Sequence, residues 1–193
     1  MTPSHRMTFV LLSMQLYENQ LFHIYNRGNN SQTIFFKREN YLYFLRKLKD
    51  HLAPVCEIIS WCLMPNHFHI MVFIGRNRKA EDVSKAIQII LRSYTRAINI
   101  QENRNGSLFQ QKTKSEALRD EILEDNYAES CFRYIHRNPF DAGLVRFLED
   151  WEFSSYRDYF GTRNGTLINK SLANELLDIS FEKDAFVNFS YKK

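Results

Sequence analysis

With 193 residues, a formal net charge of +4, 44% hydrophobic and 25% charged residues, the chain has the size and composition of one globular domain. A second full domain is therefore not expected, and no apolar run is long enough to span a membrane. The mild positive charge allows a nucleic acid partner without requiring one. The aromatic share of 15% exceeds what a small core usually needs, which leaves rings available to stack on bases.

The cysteines and the start of the chain carry little functional signal. Cys56, Cys62 and Cys131 are odd in number and form no Cys-x-x-Cys pair, which argues against a disulfide framework or a structural zinc knuckle and fits a reducing cytoplasm. The apolar run at residues 7–14 is short for a secretory signal and lacks an A-x-A-like cleavage site. We expect residues 1–19 to form a loosely ordered N-terminal extension.

The predicted domain, residues 20–161, begins with a strand and a helix. Residues 21–27 mix β-favouring side chains and run into the turn-like Gly28-Asn29-Asn30, which predicts a strand followed by an exposed loop. Residues 38–52 then repeat apolar side chains at helical spacing until Pro54, which predicts a helix.

The next four predicted elements are a strand pair, a long helix and a short strand. Residues 57–63 and 67–74 are apolar and joined by Met64-Pro65-Asn66, which predicts an antiparallel hairpin. Residues 80–100 carry one apolar stripe of a long helix, and a short strand is expected within residues 108–118. The order β-α-β-β-α-β predicts an α+β, ferredoxin-like sandwich: an antiparallel sheet with two helices on one face.

One more helix is expected after the sheet. Asp120 or Asp125 is a candidate N-cap, and the helix is predicted to run to about residue 138 and to end at Pro139. Residues 162–193 are predicted to form a tail with one appended helix and a frayed end.

Two histidines on the third predicted strand form a candidate metal site. His67 and His69 are two residues apart, so their side chains project from the same face of the strand while Phe68 points to the other face. This pair is ready to bind a metal ion. The alternative is that both are ordinary half-buried strand histidines.

The last predicted core helix supplies a candidate nucleophile and a further ligand. Tyr134 and Asn138 are four residues apart and share one helical face. Two imidazoles and one amide oxygen leave coordination positions open, which suits Mg²⁺ or Mn²⁺ polarising a phosphate. A tyrosine hydroxyl, with a free pKa of about 10, needs such help to attack a phosphodiester. The alternative for Tyr134 is a ring that packs on the core.

These segments together resemble the IS200-like tyrosine transposases, including the REP-associated branch, within the wider HUH endonucleases. Residues 61–69 resemble the family's W-x-x-M-P-N-H-x-H hairpin, and residues 134–145 resemble its Y-I-x-x-N-P and A-G-L-V segments. The resemblance extends over about residues 21–161 and includes further short stretches at residues 25–28 (Y-N-R-G), 108–110 (L-F-Q), 114–115 (K-S), Trp151 and 154–156 (S-S-Y).

The resemblance implies a ferredoxin-like catalytic domain with assigned roles. His67, His69 and Asn138 bind the divalent metal, and Tyr134 attacks the scissile phosphate to form a 5′-phosphotyrosine and free a 3′-hydroxyl. Rejoining reverses this step, so no external energy source is needed. The implied substrates are DNA single strands that carry hairpins, and relatives act either as a homodimer or as monomers, a choice that this sequence leaves open.

Some positions depart from the family pattern. Three positions after Tyr134 differ from the family pattern: Arg137 stands where members often have an apolar residue, Phe140 where they often have Val, and Asp141 where they often have Arg. Members also often have an arginine shortly after the position of Phe109, near residues 112–113, and this chain has none there. Lysine still neutralises phosphate there, without a bidentate contact.

Four cationic side chains are candidates for contacts with DNA phosphates: Arg27, Lys112, Lys114 and Arg119. The alternative for each is an ordinary charge in solvent.

Several neighbouring aromatic and imidazole side chains are given other roles. His136 points away from Tyr134 on a helix and is interpreted as a capping or packing residue. Tyr127, one heptad before Tyr134, lies near the same face and is the fallback nucleophile. Tyr25 and Phe109 are interpreted as core rings, with base stacking as the alternative.

Two other classes of function compete with a DNA-cleaving and joining enzyme. One is a ferredoxin-like module that only binds single-stranded nucleic acid, although no RNP-like aromatic motif is present. The other is a metal-dependent phosphodiesterase with water as nucleophile, in which Tyr134 is dispensable.

Overall fold

The computed structural model describes residues 14–118 and 126–192. Four strands and six helices follow one another as β1 Gln20–Arg27, α1 Arg38–Lys47, β2 Glu57–Met64, β3 His67–Ile74, α2 Ala80–Gln101, β4 Lys114–Ala117, α3 Tyr127–Asp141, α4 Tyr156–Tyr159, α5 Lys170–Leu176 and α6 Lys183–Tyr191. The strands form one antiparallel sheet in the order β2-β3-β1-β4. This is the predicted ferredoxin-like arrangement.

The two faces of the sheet carry separate cores, because alternate residues of a strand point to opposite sides. Phe22, Ile24 and Phe68 are fully buried on the face that α1 and α2 cover. Leu21 and Met71 are buried on the opposite face, where α3 packs against β2 and β3. The two predicted helices therefore share one face, and a third helix covers the other.

Helix α3 runs past the position where the sequence predicted its end. It continues through Pro139 to Asp141, because proline at this point removes only one N–H near the end of the helix. The backbone N–H of Leu144 donates to the carbonyl of Pro139 at 2.9 Å, and Gly143 takes a φ of +68°. Glycine adopts that left-handed conformation without strain, so residue 143 is the actual stop signal. The two predicted capping aspartates, Asp120 and Asp125, lie outside the described residues.

The segment after α3 closes the second core. Ser155 Oγ accepts from the backbone N–H of Trp61 at 2.9 Å and donates to the carbonyl of the same residue at 3.1 Å, which holds the segment along β2. Residues 162–192 form two helices, α5 and α6, where one helix and a frayed end were expected. Ala173 and Phe186 are buried in the second core, so these helices pack as part of it.

Across residues 14–118 and 126–192, none of the helices combines the length and the apolar character needed to cross a membrane.

Candidate active site

The histidine pair of β3 lies on the sheet face that α3 covers. His69 is buried and His67 half-buried, and their ring centroids are 5.0 Å apart. Phe68 is buried on the opposite face, as the alternation of the strand predicts.

Asn138 reaches the histidines from α3. Its side-chain Nδ2 donates to the carbonyl of Tyr134 at 2.8 Å, one helical turn earlier. This hydrogen bond turns the amide so that its Oδ1 lies 3.3 Å from His67 Nε2. The amide oxygen, the atom of this side chain that can bind a metal ion, therefore faces His67.

The other ring nitrogen of each histidine has a partner of its own. Asn66 Oδ1 lies 2.6 Å from His67 Nδ1, and an amide oxygen only accepts, so this Nδ1 carries the proton. His23 Nε2 lies 2.9 Å from His69 Nδ1. His69 Nε2 is buried and has no hydrogen-bond partner in the described part of the chain. His67, with its proton on Nδ1, therefore presents a lone pair at Nε2 toward Asn138, and the unpartnered Nε2 of His69 lies on the same face of the strand.

The protonation state of the ligands fits metal binding. Burial lowers the pKa of His69 well below its usual value, and the neighbouring His23 and His67 lower it further. Burial also lowers the pKa of His67. Both imidazoles are therefore neutral near pH 7, which is the form that binds a metal ion.

The candidate metal site offers few protein ligands and leaves room for oxygen ligands from a substrate. Within residues 14–118 and 126–192, no group of three or more His, Cys, Asp and Glu side chains is arranged to hold a metal ion. A metal here depends on His67, His69 and the oxygen of Asn138, which leaves positions open for phosphate oxygens. The orphaned Nε2 of His69 and the oriented amide show that these residues fit such an ion.

Tyr134 stands beside this cluster and faces solvent. Its side chain is 49% exposed, and its ring centroid lies 5.3 Å from that of His69. The core-packing alternative is therefore wrong for this residue. Its position on α3, one turn before Asn138, brings a free hydroxyl to the edge of the candidate metal site.

A cleft of about 280 Å³ opens at Tyr134 and is rimmed by positive charge. Arg27, Lys112 and Lys114 line it together with the two histidines. Arg119, the fourth candidate for phosphate contacts, lies outside the described residues.

The basic rim depends on one loop running beside the end of β1. The backbone N–H of Gln110 donates to the carbonyl of Arg27 at 2.9 Å, and Asn26 Nδ2 donates to Thr113 Oγ1 at 2.9 Å. Lys112 lies between these two anchors. The Y-N-R-G segment of β1 therefore positions the lysines as well as its own arginine.

The other side chains that the sequence singled out around the site lie in different environments. His136 is fully buried, 2.8 Å from Ser155 Oγ, and burial lowers its pKa to about 3, so it is a packing residue as expected. Phe109 is also a core ring. Tyr25 is half-buried and faces the site, so its interpretation as a core ring is wrong. Arg137 and Asp141 pair with each other at 2.7 Å.

Two polar residues of the site, His23 and Glu116, carried no role in the sequence interpretation. The alternation along β1 does place His23, Tyr25 and Arg27 on one face, which was the available signal. Glu116 lies on β4 opposite His23 of β1, and this pairing could be found only from the strand register.

Comparison with known proteins supports the resemblance. No family model matches the chain. Over 111 residues it is 26% identical to a protein of Haemophilus influenzae that is named as a REP-associated tyrosine transposase. The match covers 52% of this chain and 58% of that relative.

A solved structure shares the fold. It is a REP-associated tyrosine transposase bound to a REP hairpin, and it matches with a TM-score of 0.57 at 18% identity. The match covers 81% of this chain and 90% of that one. The resemblance drawn from the motifs and the α+β fold class are both confirmed.

Proposed function

We propose that this chain, a relative of the REP-associated tyrosine transposases, cleaves and rejoins hairpin-bearing single-stranded DNA with Tyr134 as the nucleophile. The observation that carries the proposal is a convergence in space. His67 Nε2, 3.3 Å from Asn138 Oδ1, and the unpartnered Nε2 of His69 lie beside an exposed tyrosine, in a cleft rimmed by cations. A site built only to bind nucleic acid does not require that arrangement.

The chemistry is an exchange of phosphodiesters. The phenolic oxygen of Tyr134 forms a bond to the scissile phosphorus, and the bond from phosphorus to the 3′ oxygen breaks. The proton that Tyr134 releases passes to solvent, and the departing 3′ oxygen takes up a proton to become a hydroxyl. A 5′-phosphotyrosine remains on the protein until another 3′-hydroxyl attacks it and restores the tyrosine. One ester replaces another, so the bond energy is conserved.

The other residues bind and orient the substrate. A divalent ion such as Mg²⁺ or Mn²⁺, when bound, supplies Lewis-acid polarisation of the phosphate. His67, His69 and Asn138 hold that ion. Arg27, Lys112 and Lys114 neutralise the flanking phosphates and keep the backbone in the basic cleft.

The test is a covalent adduct on a denaturing gel. The protein is incubated with a labelled single-stranded hairpin library in Mg²⁺ or Mn²⁺. We expect a protein-DNA adduct that disappears with EDTA and with Tyr134→Phe, because phenylalanine has no oxygen to form the ester. Tyr43→Phe, which removes a hydroxyl from α1 on the opposite side of the sheet, should leave the adduct intact.

Three results would contradict this assignment. Cleavage that survives Tyr134→Phe without an adduct would favour water as the nucleophile. An adduct that is lost in Tyr127→Phe instead would move the role to Tyr127. Tight binding with neither adduct nor cleavage across the library would leave only a binding module.

A further inference from the structure

A second cleft lies on the other side of Tyr134. Its volume is about 390 Å³, within the range of small-ligand sites. We call it the tyrosine cleft; it is lined by His23, Tyr25, His69, Glu116, Tyr127, Ser130, Cys131 and Tyr134. Tyr127 and Tyr134 are 37% and 49% exposed, so two rings of this cleft are open to a planar ligand.

Glu116 is the acidic residue of the tyrosine cleft. Tyr25 donates its hydroxyl to Glu116 Oε1 at 2.5 Å. Tyr127 lines the same cleft as Glu116, and burial, and then the charge of Glu116, raise the pKa of its hydroxyl. An ionised carboxylate offers about four acceptor positions, and these neighbours leave some of them free.

The two clefts differ in charge and share three residues. Tyr25, His69 and Tyr134 line both, while the cations Arg27, Lys112 and Lys114 line only the basic one. A carboxylate repels phosphate, so the DNA backbone belongs in the basic cleft. The rings and the acceptor of the tyrosine cleft suit the uncharged part of a nucleotide, the base.

We infer that the tyrosine cleft binds the nucleobase next to the scissile phosphate and that Glu116 selects an amino-bearing base over thymine. This inference rests on the proposed function, because it places the scissile phosphate at Tyr134. Adenine, cytosine and guanine each carry an exocyclic amino group that donates to a carboxylate, whereas thymine has none and its ring N3–H lies between two carbonyl oxygens that a carboxylate repels. Tyr127 and Tyr134 contact the base through their rings, as in other single-strand sites.

Binding tests the inference without requiring cleavage. Fluorescence anisotropy with labelled dA10, dC10 and dT10, in EDTA and at one salt concentration, compares the wild type with Glu116→Gln. We expect the wild type to bind dA10 and dC10 at least threefold more tightly than dT10. In Glu116→Gln that ratio should fall toward one, because the amide also donates to the thymine O4. Equal ratios in the two proteins would overturn the inference.

Two further variants separate the cleft from general effects. Glu175→Gln makes the same change on an exposed side chain of α5, which packs against β2 at the opposite edge of the sheet. It should keep the wild-type ratio. Tyr127→Ala should weaken binding to all three oligonucleotides by about tenfold through lost stacking. Unchanged affinity in that variant would count against base binding in this cleft.

Cleavage gives the independent readout. The adducts formed on a library with random bases around the hairpin foot are sequenced. Wild-type adducts should exclude thymine at one position beside the cut, and Glu116→Gln should readmit it. Adducts without any such exclusion would overturn the inference and leave the proposed function standing. A base preference in binding without adducts would support base selection by Glu116 in the tyrosine cleft, but it would contradict both the proposed cleavage and the placement of that base beside a scissile phosphate.

Discussion

Each candidate ligand histidine has its Nδ1 engaged by a neighbouring side chain. His67 Nδ1 is held by Asn66 and His69 Nδ1 by His23. For His69 to present a lone pair at Nε2, its Nδ1 must carry the proton and donate it to His23. The neutral His23 then accepts at Nε2, and burial favours this neutral form by lowering the pKa of His23 to about 4. Such outer partners orient metal ligands in many proteins.

Replacing His23 should therefore weaken metal binding. His23→Phe keeps a ring of similar size stacked on Tyr25, whose centroid is 4.7 Å away, but removes the acceptor for His69. We expect the dissociation constant for Mn²⁺, measured by calorimetry without DNA, to rise about 10- to 100-fold.

His51→Phe is the matched control for that change, because residue 51 lies in the helical turn Leu48–Leu52 that follows α1, apart from the site. Its Mn²⁺ affinity should equal that of the wild type. A folded His23→Phe protein with unchanged affinity would show that Asn138 and the backbone alone orient His69.

The connection after β1 is the element that joins the candidate metal site to the basic rim. The N–H of Gly28 donates to the carbonyl of Asn66 at 2.8 Å, at the turn before His67. On its other side Gly28 forms a bridge with Phe109, in the loop that carries Lys112 and leads into β4 at Lys114. A Cβ at residue 28 would lie 2.1 Å from the carbonyl oxygen of Gln32. The backbone approach, and not an unusual φ, explains the glycine here.

Gly28→Ala should consequently destabilise the fold. We expect the free energy of unfolding in urea to fall by about 1–3 kcal/mol, the usual cost of forcing atoms into a packed site. At Gly75 the nearest atom to an added Cβ is a Phe73 side-chain carbon at 3.8 Å, so Gly75→Ala should change stability by less than about 1 kcal/mol. Equal losses in the two variants would contradict the steric argument.

At the scale of the whole molecule, the sheet separates two cores and buries histidines within the second. His136 is buried with a pKa of about 3, and His23 with a pKa of about 4, in both cases because burial disfavours the charged ring. In the unfolded chain each returns to a value of about 6.5. Below that pH the unfolded state binds more protons than the folded state. The contribution of these two histidines to the free energy of unfolding is therefore fully present above pH 6.5 and is lost as the pH falls toward 4.

Urea unfolding in EDTA between pH 7.5 and pH 5 measures this dependence. Each of the two histidines should lower the free energy of unfolding by about 1.4 kcal/mol per pH unit once the pH is below 6.5. His136→Gln removes one titrating group and should reduce the slope by one proton. His51→Gln, at a partly exposed position, is the control. An unchanged slope in His136→Gln would mean that His136 does not contribute.

Much of this architecture follows from local patterns. The bounds predicted for the strand pair at residues 57–63 and 67–74 agree with β2 and β3 to within one residue. The end of α3 was missed, because the proline rule was weighed above the glycine four residues later. Period-2 alternation placed the histidine pair on one face, and the four-residue spacing placed Asn138 one turn from Tyr134. These relations hold within a single element, so the chain determines them locally.

What only the tertiary structure decided is which elements meet. His23 contacts His69 across 46 positions, and Asn138 reaches His67 across 71. Glu116 and Lys114 reach their clefts because β4 pairs with β1, and Lys112 reaches the basic rim because its loop runs along the end of that strand. Hydrophobic periodicity states which face of an element is buried, but not its neighbour across the sheet. The sequence by itself therefore determined the candidate nucleophile and ligands, and packing decided the residues that orient them.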